Sequence, residues 1–250
     1  MIQIYILIIT LLTQTKAVDL NINFRFSPEV EKRLMTFAEE ITKEYNFTNE
    51  INFTICAPHI TMYLTTFNDT QLNDLVIDFA KSVEGMRGCY VTMKELYASG
   101  DYFMWRADNT DCLQKLSNKV VRMTSTYRNT SYEIPDWVYN LPDGPEKTKK
   151  LAYCKLFGSP NVFDGFDPHF TLIVSTQSPE LLSTIAKEIN SGVSKVKLPT
   201  FEDLRSTSLS MAVSGPFGTV LRDQIKGWTN VYEPMMSFFD DDEVIIENDL

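Results

Sequence analysis

Apolar and polar residues alternate from Leu20 to Phe26, which predicts a β-strand. Ser27-Pro28-Glu29 then opens a helix, with Ser at the N-cap and Pro at the first helical position. That helix is expected to run to about Tyr45, with Leu34, Phe37, Ala38 and Ile41 on one face. His59 to Phe67 is the next strand, and Thr70 to Glu84 carries Leu72, Leu75, Val76, Phe79, Ala80 and Val83 at helical spacing. Tyr90 to Ala98 and Tyr102 to Ala107, separated by Ser99-Gly100-Asp101, predict a hairpin; Asp111 to about Arg128 is again helical. Later in the chain the order repeats. His169 to Ser175 predicts a strand, and Ser178-Pro179-Glu180 a helix reaching about Asn190. Thr207 to Val213 and Thr219 to Ile225 then predict two strands around Ser214-Gly215-Pro216.

Each half thus contains a strand, a helix and a hairpin. The expected fold class is α+β: a bilobal pseudo-twofold arrangement, each lobe an antiparallel sheet with helices and an active-site cleft between the lobes. The domain is expected over 18–232. Residues 129–167 interrupt it with Pro135, Pro142, Gly144, Pro145, Gly158, Pro160 and Gly165 among aromatic residues, which predicts an irregular aromatic connecting flap. Residues 233–250 hold Asp240, Asp241, Asp242 and Glu243 and predict an acidic tail.

The start of the chain reads differently. Ile2 to Leu12 is a nearly unbroken apolar run, followed by Thr15-Lys16-Ala17. This predicts a signal peptide over 1–17, too short for a membrane span, so no membrane association is expected after cleavage. The competing readings are an uncleaved anchor and a buried first strand. Asn46, Asn52, Asn68 and Asn129 each begin an N-x-[ST] sequon and are the candidate glycosylation sites. Four cysteines, Cys56, Cys89, Cys112 and Cys154, behind such a leader predict two disulfides, with the pairing left open and buried reduced thiols as the competing reading. The expected location is secreted or the lumen of the secretory pathway.

Hydrophobic residues make up 44% of the chain and charged residues 22%, enough apolar material for a substantial core. A net charge of −10 argues against a general binder of long nucleic acid, which needs a broad basic face. It leaves room for a small anionic ligand held by a few local donors.

The chemistry-bearing pattern involves both of the chain's histidines. One stands in Pro58-His59-Ile60-Thr61-Met62, the other in Pro168-His169-Phe170-Thr171-Leu172. Residues i and i+2 of a strand share a face, so His59 projects with Thr61, and His169 with Thr171, while Ile60 and Phe170 point to the core. Two imidazoles and two hydroxyls in one cleft suit phosphoryl transfer. One neutral imidazole takes a proton from a nucleophile, and the other, protonated, supplies one to the leaving oxygen. The hydroxyls donate to nonbridging phosphate oxygens. No cysteine or histidine cluster with metal-ligand spacing occurs, so neither a metal nor a cofactor is expected.

On these residues the sequence resembles the two-histidine phosphoesterases, whose members carry two such H-x-T motifs on a pseudo-twofold fold. The resemblance covers roughly residues 20–228 in element order and rests mainly on His59, Thr61, His169 and Thr171. It implies a metal-independent phosphodiesterase acting on a 2′,3′-cyclic phosphate or 2′,5′-phosphodiester of a nucleotide or short oligonucleotide. His59 and His169 would be the catalytic acid–base pair, with the pseudo-symmetry hiding which is which, and Thr61 and Thr171 the phosphate anchors. The alternatives are a secreted nucleotide-sequestering protein without turnover, and an RNA ligase or transferase using the same site. A secretory leader departs from the family's many intracellular members.

Weaker candidates for substrate contact are Tyr63, two residues beyond Thr61, and Arg106, Arg25 and Arg205 as cations for phosphate. Trp137 and Tyr139 are stacking candidates in the flap. A monomer is expected.

Overall fold

The computed structural model describes residues 17–222, except 85, 87, 132, 177, 178, 202 and 203, together with 230–232. The predicted leader and acidic tail fall almost wholly outside the described residues, as does Ser178. The strands are β1 (Ala17–Arg25), β2 (Cys56–Ala57), β3 (Ile60–Asn68), β4 (Met93–Ser99), β5 (Tyr102–Ala107), β6 (His169–Val174), β7 (Ser208–Val213), β8 (Val220–Leu221) and β9 (Asn230–Tyr232). The α-helices are α1 (Pro28–Tyr45), α2 (Leu72–Val83), α3 (Asp111–Thr124), α4 (Asp136–Tyr139), α5 (Pro145–Phe157) and α6 (Pro179–Asn190).

The fold is α+β and its sheet pairings are antiparallel. The main sheet runs β4-β5-β6-β3-β1-β7-β9, and β2 pairs separately with β8. The main sheet is continuous only through a narrow seam, because β3 and β6 meet at one pair, Ile60 opposite Phe170. Helices α1 and α6 pack on the β4-β5-β6 side, and α3, with α2 against it, on the β3 side. Two lobes therefore meet at the seam.

The lobes are not the two halves of the sequence. Hairpin β4–β5 joins β6, which comes later in the chain, and β7 joins β1. Every strand carries a similar alternation, so local periodicity cannot say which strand pairs with which. A second difference lies after β7. The chain turns back with a single antiparallel bridge, Ser214 to Val220, and Val220–Leu221 then pairs with Cys56–Ala57, just ahead of His59, rather than along β7. Pro216–Gly218, between them, forms one turn of 3-10 helix. The connecting stretch also has more order than its composition predicts: α5 occupies Pro145–Phe157, with Pro at its start and Gly158 in the left-handed conformation at its end.

Helix α1 forms as read. The Ser27 hydroxyl accepts from the Val30 N–H at its N-terminus, and Leu34, Phe37, Ala38 and Ile41 are all buried. β1 is the central strand of its lobe, and Leu20, Ile22 and Phe24 are fully buried on its core face.

One disulfide is present, Cys89–Cys112, and the expectation of two is corrected: Cys56 and Cys154 are free and buried. Each free thiol serves as a small apolar group in its packing, and burial pushes the Cys154 thiol up to about 11. The bridge closes a loop with a sequence separation of 23, for which loop-closure entropy gives about 3 kcal/mol. Cys89→Ala/Cys112→Ala is expected to lower the free energy of unfolding by about that amount in denaturant titration.

Candidate active site

His59 directly precedes β3 and His169 begins β6, so the seam brings the two motifs together. Antiparallel pairing about Ile60 and Phe170 sets His59 across from Thr171, and Thr61 across from His169. Ile60 and Phe170 are fully buried, which turns both histidines and both threonines to the opposite side, the cleft. All four line a cleft of about 1440 Å³, roomier than most small-molecule pockets.

The two imidazoles are held in the same way. His59 Nδ1 donates to the Ala57 carbonyl at 2.8 Å, and His169 Nδ1 donates to the Asp167 carbonyl at 2.7 Å. A carbonyl can only accept, so each Nδ1 carries its hydrogen and each Nε2 presents a lone pair when neutral. The β2–β8 pairing fixes the segment that supplies the first of these carbonyls.

Both imidazoles are pushed below the ordinary histidine range, chiefly by burial. For His59 burial pushes the value down to about 4, with the Arg25 and His169 charges adding to the effect and hydrogen bonding to the Ala57 and Gly218 carbonyls opposing it. For His169 burial acts in the same direction and Arg106 assists, while the Asp167 backbone hydrogen bond and carboxylate oppose. His59 is thus more easily protonated unfolded, near 6.5, than folded, near 4. Its neutral form supports the fold above about pH 6.5, and that support is lost as pH falls toward about 4. The melting temperature of the wild type is expected to fall across this window, and less steeply in His59→Gln.

The secondary candidates divide. Arg106 lines the cleft opposite His169, but its guanidinium already binds Asp167 at 3.1 Å and Glu95 at 2.6 Å and lies 4.2 Å from the Tyr97 ring. Trp137 also lines the cleft, 43% exposed, with Lys150 Nζ 5.3 Å from its ring. Tyr63 is corrected. The pairing of β3 with β1 slips by one residue between Thr61 and Tyr63, which breaks the i, i+2 rule. Tyr63 is 1% exposed and its hydroxyl donates to the Phe157 carbonyl, so its ring is not free to stack on a base. Arg25 lies off the cleft in an ion pair with Glu31 at 2.8 Å, and Arg205 lies over the Tyr90 ring. Tyr139 is exposed and likewise off this cleft.

Among the sequon residues, Asn46 and Asn52 are exposed and Asn68 is half-buried. Asn129 is only 6% exposed and its side-chain Oδ1 accepts from the Ser131 N–H, so a glycan there requires the site to open.

Sequence reasoning missed Asn21, which is fully buried in β1. Its Nδ2 lies 3.2 Å from His59 Nε2, 3.0 Å from Thr61 Oγ1 and 3.0 Å from the Gly218 carbonyl. The available signal was an amide at the polar position of Leu20-Asn21-Ile22, where strand-forming residues are the norm. Gly218 has φ +73°, and a Cβ there would meet Leu64 at 3.3 Å, so glycine suits the turn that offers this carbonyl. Phe217 beside it also takes a positive φ and sets its ring 6.4 Å from that of Tyr102 on the other lobe.

Among the described residues, no group of three or more His, Cys, Asp and Glu side chains is arranged to hold a metal ion.

No family model and no curated protein matches this chain. Among solved structures, it is similar to E. coli LigT complexed with phosphate, at 10% identity and TM-score 0.46 over 89% of this chain and 99% of that one. It is also similar to a phosphoesterase, at 10% identity and TM-score 0.48 over 88% of this chain and 99% of that one. E. coli LigT complexed with NADP+ gives 9% identity and TM-score 0.43 over 88% and 99%. The likeness concerns the overall fold alone.

Proposed function

We propose that the chain is a metal-independent phosphodiesterase that hydrolyses a 2′,3′-cyclic phosphate or 2′,5′-phosphodiester of a nucleotide or short oligonucleotide. The observation that carries this reading is the matched pair of imidazoles. Each is fixed through Nδ1 by the carbonyl two residues upstream, so each offers Nε2 for proton transfer. A water oxygen attacks phosphorus while one Nε2 takes its proton. The bond from phosphorus to a ribose oxygen breaks, and that oxygen receives a proton from the other Nε2. The first imidazole ends protonated and the second neutral, so one proton must return through solvent before the next cycle. Thr61 and Thr171 donate to the nonbridging oxygens, where charge develops.

The domain assignment, 18–232 behind a cleaved leader, belongs to the same proposal, with a secreted or luminal location. The Cys89–Cys112 bridge supports an oxidising compartment.

The test is turnover of a panel of 2′,3′-cyclic nucleotides and 2′,5′-linked dinucleotides in the presence of EDTA. Hydrolysis of at least one class is expected, and a need for added divalent metal would sink the mechanism. Tight binding without conversion would favour sequestration, and product formed only with an acceptor end would favour a ligase.

A further inference from the structure

The local pseudo-symmetry of the site leaves open which imidazole is the acid, and one side chain breaks it. Asn21 has two amide hydrogens and three acceptors within 3.2 Å: His59 Nε2, Thr61 Oγ1 and the Gly218 carbonyl. The carbonyl can only accept, which fixes Nδ2 rather than Oδ1 on this side of the amide. Its two hydrogens are shared among these three acceptors, and the amide turns its donor side, not Oδ1, toward the His59 Nε2 lone pair. That contact suits a neutral imidazole and opposes a proton on Nε2. On the other lobe, the atoms within reach of His169 are different. The Asp167 carboxylate, held by Arg106 at 3.1 Å and by the Tyr97 hydroxyl at 3.1 Å, stands beside it, and the Tyr97 ring meets the imidazole edge-on at 6.3 Å.

Building on the phosphodiesterase reading, we infer that Asn21 is a positioning residue that fixes His59 as the general base and leaves His169 as the general acid. In the resting site the amide donor holds His59 neutral. When the nucleophile arrives, Asn21 keeps its bonds to Gly218 and Thr61 and yields Nε2 to the water proton. The same amide thus sets the base and orients the hydroxyl that contacts phosphate. The surrounding charges act in the same sense. Among the charges, Arg25 and the second imidazole disfavour a cation at His59, where only the neutral Ala57 and Gly218 carbonyls favour one. At His169 burial and Arg106 disfavour a cation, and the Asp167 carboxylate favours it.

Two measurements test this, and the first needs no turnover. The chain has only two histidines, so their imidazole resonances are assigned in a proton–nitrogen spectrum with one substitution at each position. Asn21→Ala is expected to raise the titration midpoint of His59 and leave that of His169 in place. Asn21→Asp, which sets a carboxylate against Nε2, is expected to raise it further. An unmoved His59 midpoint in a folded variant, or an equal shift in both histidines, would overturn the role of Asn21.

The second measurement compares a 2′,3′-cyclic nucleotide with a nucleoside 4-nitrophenyl phosphodiester, whose leaving group departs without a proton. His169→Ala is expected to lose the cyclic nucleotide activity and keep that on the nitrophenyl ester to within about tenfold. His59→Ala is expected to lose both. The reverse pattern, or equal losses on both substrates, overturns the assignment. If the wild type hydrolyses neither ester, the phosphodiesterase reading falls, while the titration result still decides whether Asn21 sets the protonation of His59.

Discussion

His59→Ala and His169→Ala are each expected to lower kcat on the preferred cyclic or 2′,5′-linked substrate by roughly 10²- to 10⁴-fold, with a smaller change in KM. Each factor of ten corresponds to about 1.4 kcal/mol of transition-state stabilisation, so one imidazole is being asked for about 3–5 kcal/mol. Substrate binding should survive, because the threonine hydroxyls and the cleft walls remain. The double variant should be little worse than the poorer single variant. Once one proton transfer is lost, the concerted step is lost, and the second imidazole has no partner to assist. Multiplicative losses would mean that the two histidines act in separate steps. Loss of binding in either variant, measured by calorimetry with a non-hydrolysed analogue, would mean that they are phosphate ligands before they are acid and base.

The motif pair was legible because strand geometry is strictly local. In Pro-His-x-Thr the alternation fixes which residues share a face, and the burial of Ile60 and Phe170 follows from it. Helix α1 was legible for a similar reason, since its cap and its apolar stripe lie in one continuous stretch of sequence from Ser27 to Ile41. What failed was long-range. The depth of Tyr63 in the cleft wall comes from a bulge that shifts pairing between β1 and β3 by one residue, and nothing in the short stretch Ile60 to Leu64 announces it. The exchange of hairpins between lobes, and the pairing of β8 with β2, depend on which strand edges meet in space. Asn21 was missed because an amide becomes part of a site only when the sheet sets it beside His59 and Gly218, neither of which is near it in sequence. For Arg25 the reason is the opposite: its partner Glu31 is close in sequence, in the first turn of α1, and its ion pair keeps the guanidinium off the cleft.

That ion pair belongs to a larger arrangement, whose loss is expected to have the largest effect on stability. Glu31 is 4% exposed and bridges two cations: Oε1 accepts from Arg25 at 2.8 Å and Oε2 from Arg222 at 2.6 Å. Glu31→Ala would leave two guanidinium groups in low-dielectric surroundings with no counter-charge, at a cost of about 3–5 kcal/mol. For a chain of this size that corresponds to a fall in Tm of roughly 6–20 °C, read by thermal denaturation. Activity at a temperature where the variant is still folded should fall as well. Arg222 Nε also donates to the Cys56 carbonyl at 2.8 Å, one residue before the Ala57 carbonyl that holds His59 Nδ1. Replacing all three charges with apolar groups, as Arg25→Met/Glu31→Leu/Arg222→Met, separates the two roles. Stability should return, because the uncompensated charges are gone. Turnover should return only in part, because Cys56 then keeps its backbone pairing with β8 but its carbonyl loses its side-chain anchor, and His59 is held less firmly. Full recovery of both would reduce the triad to packing; recovery of stability without full turnover would make it part of the apparatus that aims the base.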